Sequence, residues 1–414
     1  VDWQNEYYTT INGLLCSKNG DSWTLRAVPC VLKEVVVPEN VIRINSSAMS
    51  SCKNLESVFI PSSVWTIGSY AFSSCNKLRD VTICEGVKTI QDSAFSDCGS
   101  LQTINIPASV TTIDRAFVRC SGLLNINVVE SNLCYSSISG VLLNHNGDEL
   151  LAYPGGRSGD VIWPESVRKI GVGAFEDNAN LTEVAIPPAI TNIANSAFSS
   201  CENLERVSLS HSLESVGDGA FQSCNKLGAM VFPVGLRSLG QWVLSNCPIR
   251  YVRFEGARPE TEGGEVFAWL DTLKQIFIPE SGEGWEGLTE WQGKPLVRYS
   301  GGRMEFELTE SMSAVYDDGV LTIDGSGEMP NWDSAIDTPW YSFSSLVTNI
   351  NISSGVESIG DYAFAQFDAI ERMRIPEGVR RIGDYAFYQC RKLKSVEIPE
   401  TVTQIGYGAF EECT

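Results

Sequence analysis

The apolar positions of this chain return at a fixed distance, with polar residues between them. The stretch IGSYAFSSCNKL (67–78) comes back as IQDSAFSDCGSL (90–101), IANSAFSSCENL (193–204), VGDGAFQSCNKL (216–227) and IGDYAFYQCRKL (382–393). The second residue of each Ala-Phe pair serves as a marker: Met49, Phe72, Phe95, Phe117, Phe175, Phe198, Phe221, Leu244, Phe267, Phe364, Phe387 and Phe410. Within each run the step is 23 residues, except for one of 22 into Phe117. A period of that size marks stacked supersecondary units.

Each unit repeats its apolar set. Six residues past the marker stands a leucine, as at Leu55, Leu78, Leu101 and Leu204, and pairs such as Val58 with Ile60 and Ile104 with Ile106 follow. That alternation, rich in β-branched residues, predicts a short strand. A proline then stops it, as at Pro61, Pro107, Pro187 and Pro376, because proline cannot donate to a ladder. A second short apolar segment comes next, such as Val64 with Ile67 or Val402 with Ile405. A glycine often closes it (Gly68, Gly171, Gly217, Gly240, Gly360, Gly383, Gly406), which predicts a bend with unusual backbone angles. The AFxxC segment is at most one helical turn. One unit cannot bury its own apolar residues, whereas stacked neighbours can. Phe72, Phe95, Phe117, Phe175, Phe198, Phe221, Phe387 and Phe410 are therefore expected to form an internal ladder.

The period breaks in three places. Asn19-Gly20 near the N-terminus and Asn146-Gly147 within 129–160 each sit between apolar runs, a strong hairpin signal, and Asp318-Gly319 repeats it. The expected organisation is an N-terminal hairpin cap (1–30), repeats (31–128), a hairpin insertion (129–160) and repeats (161–279). A closing cap and linker (280–300) with a boundary near Gly301-Gly302, a β-rich cap (301–349) and a second repeat block (350–414), read as cut short, complete it.

The pattern LxxVxIPxxVxxIGxxAFxxC, over about 31–128, 161–279 and 350–413, resembles the BspA-like, or treponemal-type, leucine-rich repeat of bacterial surface proteins. The resemblance implies a leucine-rich-repeat solenoid: β-rich 23-residue coils of short strands and single helical turns, interrupted by β-hairpin units. It also implies a secreted or cell-surface bacterial protein engaged in adhesion to proteins or matrix components.

Apolar residues make up 43% and charged residues 20%, close to globular averages. No apolar run reaches 18 residues, so no transmembrane helix is expected. The chain opens at Val1-Asp2-Trp3 without a basic, apolar leader, so any export signal is read as removed or left out, which does not argue for the cytoplasm. A net charge of −21 disfavours phosphate backbones, and nucleic acid is not expected as a partner.

Nine of the thirteen cysteines lie three residues past the marker: Cys52, Cys75, Cys98, Cys120, Cys201, Cys224, Cys247, Cys390 and Cys413. Other units hold Asn178, Leu270 or Phe367 there, so the slot is one for packing, and a ladder of reduced, buried thiols is expected. Neighbouring rungs are close enough for a disulfide, but parallel side chains point the wrong way. Cys16, Cys30, Cys84 and Cys134 lie off the ladder, and of these Cys16 with Cys30, flanking the first hairpin, is the favoured pair should a disulfide form in an oxidising compartment, while the sequence leaves open whether they are bridged. No CxxC or HxxxH pair points to zinc, and neither metal nor cofactor is expected.

Catalytic signals are weak. His145 beside the Asn-Gly turn and His211 in a coil turn are the only histidines. Glu260, Glu262 and Glu265, and Glu283, Glu286 and Glu290, read as solvated loops rather than acid-base pairs. Asp317, Asp318, Asp324 and Glu328 lack the EF-hand spacing and read as a turn-rich hairpin. The chain is read as non-enzymatic.

What remains is surface. Strand positions that should point outward differ between coils: Ser57 and Phe59, Asp80 and Thr82, Glu183 and Ala185, Arg206 and Ser208, Gln275 and Phe277. Phe59, Trp65, Phe277, Tyr362 and Arg206 are the candidate ligand-facing residues, while Trp285, Trp291, Trp332 and Trp340 are assigned to cap cores. Adhesion to an extracellular protein is one reading. Glycan binding or hydrolysis, with the acid pair in 255–300 or 301–349, is the second, and a ligand-free spacer the third. Without a polar cap after Cys413, the last coil is expected to be frayed, covered, or packed against another chain.

Overall fold

The computed structural model describes residues 5–261, 263, 265–270, 272–273, 275–299 and 303–413. Val1-Asp2-Trp3, Glu262, Gly301-Gly302 and Thr414, singled out above, lie outside the described residues. The chain forms two compact units, Val1–Ile249 with Ala257–Asp271, and Arg250–Gly256 with Thr272–Thr414.

The first unit is a solenoid with two rows of parallel strands per coil. In the longer row, Glu34–Val36, Ser57–Ile60 and Asp80–Ile83 pair in register. In the shorter row, Val41–Ile44, Thr66–Ile67, Thr89–Ile90 and Thr112–Ile113 do the same, and Lys169–Ile170, Asn192–Ile193, Ser215–Val216, Ser238–Leu239 and Glu260–Thr261 follow after the interruption. Each AFxxC segment is a hydrogen-bonded turn, and no α-helix occurs among the described residues.

The Asn-Gly turns close hairpins, but the sheet they belong to is larger than a hairpin. Tyr8–Ile11, Leu14–Asn19 and Ser22–Ala27 form a three-stranded antiparallel meander whose last strand pairs in parallel with Val41–Ile44. Tyr135–Ile138, Val141–Asn144 and Glu149–Ala152 repeat that arrangement and hand over to Lys169–Ile170. In the second unit Met304–Thr309, Met312–Asp317 and Val320–Gly325 hand over to Asn349–Ile352. The first turn of the first meander, Asn12-Gly13, is as strong a hairpin signal as Asn19-Gly20, whereas the first turns of the other two, Ser139-Gly140 and Glu310-Ser311, are weaker. Antiparallel strands thus cover the open edge where a parallel row begins.

The core runs through the coils. Phe72, Phe95, Phe175, Phe198, Phe221, Phe364 and Phe387 are fully buried, and Phe117 nearly so. Their rings stack coil on coil, with centroids 4.9 Å apart for Phe72–Phe95, 4.7 Å for Phe175–Phe198 and 5.2 Å for Phe198–Phe221. Tyr153 and Trp340, outside the repeats, take rungs against Phe175 (4.8 Å) and Phe364 (5.9 Å). Such pairs add about 0.5–1.5 kcal/mol each to the burial of the rings. Phe410, on the last coil, is half-buried, with Ile405 and Tyr407 exposed.

The closing glycines have a different cause from the one expected. None of Gly68, Gly171, Gly217, Gly240, Gly360, Gly383 and Gly406 has a left-handed φ. A Cβ at Gly68, Gly217, Gly383 or Gly406 would stand 2.5–2.6 Å from a backbone nitrogen of the preceding coil, so the glycine answers to the closeness of the stack. The left-handed angles fall two residues before and two after the marker, and mostly on other residue types: Tyr70 (57°) and Ser74 (60°), Ser196 (56°) and Ser200 (58°), Tyr385 (54°) and Gln389 (57°). Between them alternate amides point along the stack. Tyr70, Phe72 and Ser74 donate to the carbonyls of Asp92, Ala94 and Ser96 on the next coil at 3.1, 2.8 and 2.8 Å. Those bonds offset a left-handed cost of about 1–2 kcal/mol per residue.

Candidate recognition surface

The outward row begins with Val36, Phe59 and Thr82, which stand opposite one another in register. Val36 is 64% and Phe59 39% exposed, so two apolar side chains sit side by side on an open strand face. Trp65, 60% exposed, projects beside the short row, where its backbone joins Ile42 on one side and Lys88 on the other. Arg206 is exposed and its guanidinium grips Glu183, its strand neighbour, through Nε (3.0 Å) and Nη2.

Phe277 does not belong to this set. It is 2% exposed, because its strand Ile276–Pro279 pairs with Lys294–Tyr299 and its ring is covered by Tyr251 (4.8 Å) and Phe306 (5.9 Å). Tyr362 is half-buried and stacks 5.0 Å from Tyr385, which meets Tyr407 and Tyr388 at 5.5 and 5.6 Å. Of this row the sequence singles out only Tyr362; Tyr385 and its counterparts Tyr70 and Trp242 share with it the left-handed slot ahead of the marker. The signal was present: Gly173, Gly219 and Gly408 occupy that slot in other coils, each with positive φ. Trp285 and Trp340 are fully buried, and Trp291 packs edge-on to Trp285 at 5.2 Å.

The cysteine ladder is built of donors. The thiols of Cys75, Cys98, Cys201 and Cys224 donate to the marker carbonyl of the preceding coil at 3.1–3.2 Å. Burial pushes Cys75 up to about 11 and Cys201 up to about 12, so both stay protonated. The favoured Cys16–Cys30 pair is replaced by Cys30–Cys52, with Cα atoms 4.4 Å apart, and Cys16 is a free, buried thiol. Cys30 lies one coil-length before Cys52, in irregular backbone ahead of the first full coil, and is not held to the parallel side-chain direction that separates the other rungs.

His145 and His211 are both exposed. Glu260, Glu265, Glu283, Glu286 and Glu290 are exposed as well, and no group of three or more His, Cys, Asp or Glu side chains among the described residues has the placement of a metal site. Asp318-Gly319 forms a hairpin turn with φ of 41° and 84°. No described helix is long and apolar enough to cross a membrane.

The repeated frame decides the family: residues 29–134, 157–274 and 334–414 match the family described as BspA type leucine rich repeat region, in six copies. This chain belongs to the BspA-type leucine-rich repeat family. Among solved structures, the chain is similar to the pneumococcal vaccine antigen PcpA, at 18% identity over 66% of this chain and 87% of that one, TM-score 0.49. A leucine rich cell surface protein from Faecalibacterium prausnitzii A2-165 is 21% identical over 72% of this chain and 96% of its own, TM-score 0.41. A leucine-rich repeat protein from Bacteroides ovatus ATCC 8483 is 20% identical over 100% and 92%, TM-score 0.39. No curated protein matches the chain.

Proposed function

We propose that this BspA-type repeat protein is a secreted or cell-surface recognition module, without catalytic activity, that binds an extracellular protein or matrix component through its outward strand rows. One observation carries the reading: an in-register backbone frame displays side chains that differ coil by coil, with Val36, Phe59 and Trp65 exposed on it. Exposed aromatics on a rigid frame suit binding hot spots, since they contribute large contact area with little ordering cost. The acidic surplus favours a basic partner surface. The last coil, with Ile405 and Tyr407 exposed, is read as packing against further protein. The test is binding of the purified chain to a panel of matrix and host-surface proteins. Phe59→Ala with Trp65→Ala should weaken the positive interaction at least tenfold while unfolding at the wild-type temperature. Equal binding by the double variant overturns the assignment of this face.

A further inference from the structure

Among the described residues, the coil-to-coil amide ladder is interrupted at the coil of Phe117. In the coils on either side, the amides two before, at, and two after the marker donate to the next coil: Gly173, Phe175 and Asp177 reach the carbonyls of Asn195, Ala197 and Ser199 at 3.1, 2.8 and 2.9 Å. Among the described residues, the amides of Arg115, Phe117 and Arg119 find no such acceptor. Here the inserted meander delivers Tyr153 as the rung, and the Tyr153 amide, not Phe117's, bonds Ala174. Ion pairs bridge the break, Arg115 to Glu176 at 2.8 Å and Arg119 to Asp177 at 3.1 Å.

A cavity of about 210 Å³ opens at this junction, and Phe117, Arg119, Tyr153, Asp177, Asn178 and Glu202 are among its lining residues. Asn178 holds the slot that is cysteine in nine other coils and is 3% exposed. Its Oδ1 accepts from the Asn180 amide at 3.1 Å, while Nδ2 has no partner. A buried amide nitrogen without an acceptor is costly and marks a place where an acceptor is missing. Glu202 is exposed at the rim, and Arg119 is already engaged by Asp177.

The lining combines one orphan donor, Asn178 Nδ2, with carboxylate acceptors and the largely buried side chains of Phe117 and Tyr153. An anionic ligand would face Glu176, Asp177 and Glu202 together. An ammonium group would satisfy the carboxylates and leave the Asn178 amide unmet. A hydroxylated ring donates to carboxylates, accepts from an amide, and presents C–H bonds to apolar neighbours, and the cavity has the volume of one such ring. We propose that this junction is a binding site for a single neutral pyranose residue, held beside Phe117 and Tyr153 by the polar groups of Asn178, Asp177 and Glu202. The site is independent of the protein-recognition reading, which uses the outward rows.

The test is titration of the intact chain with a panel of methyl pyranosides, alongside lysine amide and acetate, followed by saturation-transfer NMR and calorimetry. At least one pyranoside should bind saturably. Asn178→Cys, which installs the residue that nine coils already carry, should weaken it at least tenfold and leave the unfolding temperature unchanged or higher. Glu202→Gln, at an exposed position, should weaken it severalfold and supplies the answer if Asn178→Cys fails to fold. Lys392→Ala, at an exposed position in the second repeat block, should leave it untouched. Saturable binding of no pyranoside, preference for lysine amide or acetate, or full affinity in both site variants overturns the proposal.

Discussion

Alanine at Gly217 and at Gly219 separates the two roles that glycine plays in this solenoid. At Gly217 the backbone angles are ordinary, but a Cβ would lie 2.6 Å from the Asn195 nitrogen and 2.8 Å from the Ala194 carbonyl carbon. The nearer contact is about 0.8 Å short of the 3.4 Å at which ordinary contact begins, and backbone cannot swing away as a side chain can. The methyl would also displace Asn195 Oδ1, which lies 2.3 Å from it and accepts the Asp218 amide at 3.0 Å. Overpacking of this kind costs about 1–3 kcal/mol and a lost hydrogen bond about 0.5–1.5 kcal/mol, so Gly217→Ala should lose about 2–4 kcal/mol. At Gly219 φ is +57°, yet the Cβ meets only the movable end of Gln222 at 3.0 Å. The left-handed penalty of about 1–2 kcal/mol is offset in part by about 0.4–1 kcal/mol from the stiffer unfolded chain, for a net loss of about 1 kcal/mol. Urea unfolding followed by circular dichroism, with hydrogen exchange of peptides spanning 190–222, reads both. A larger loss at Gly219 than at Gly217 would refute the stacking argument.

Phe198→Ala removes a fully buried ring stacked on both sides and should cost about 3–5 kcal/mol, seen as a lowered unfolding temperature in calorimetry. Cys30→Ser opens the 22-residue Cys30–Cys52 loop and should cost about 3 kcal/mol, an effect that a reductant reproduces in the parent and not in the variant. Iodoacetamide at pH 8 should label Cys84, Cys134 and Cys413 on the folded chain and spare Cys98, Cys120, Cys201 and Cys224 until urea is added; rapid labelling of the second group would show that the ladder is open. Because burial raises Cys75 to about 11 and Cys201 to about 12, their contribution is whole below the ordinary thiol value near 9. It should fall away as pH climbs from there through 11 to 12, measurable as a declining urea midpoint.

The solenoid was legible because its period is a local property of the sequence: Phe72, Phe95 and Phe198 announce their burial by spacing alone. The glycines misled because Gly68 and Gly217 are punctuated like turn residues, whereas their constraint is a neighbour 23 residues away. Phe277 has an outward strand position, and it is buried by Tyr251 and by Phe306 from a distant meander. The Cys30–Cys52 bridge is hidden in the sequence because Cys52 occupies a regular ladder slot, while its neighbour Cys30 lies in irregular backbone ahead of the first full coil. At the junction the sequence did flag Asn178 as an exception in its slot, but the missing acceptor shows only once Tyr153 is seen to take the vacant rung.

The three amides that a coil offers its successor, and the three carbonyls that receive them, are the same fitting in the coils of Phe72, Phe198 and Phe221. Removing or duplicating a whole 23-residue segment, such as 196–218, rejoins matching connectors and leaves the rest of the stack seated. Array length is thereby uncoupled from folding, and the reach of the molecule can change by recombination between coils without any new interface having to be invented.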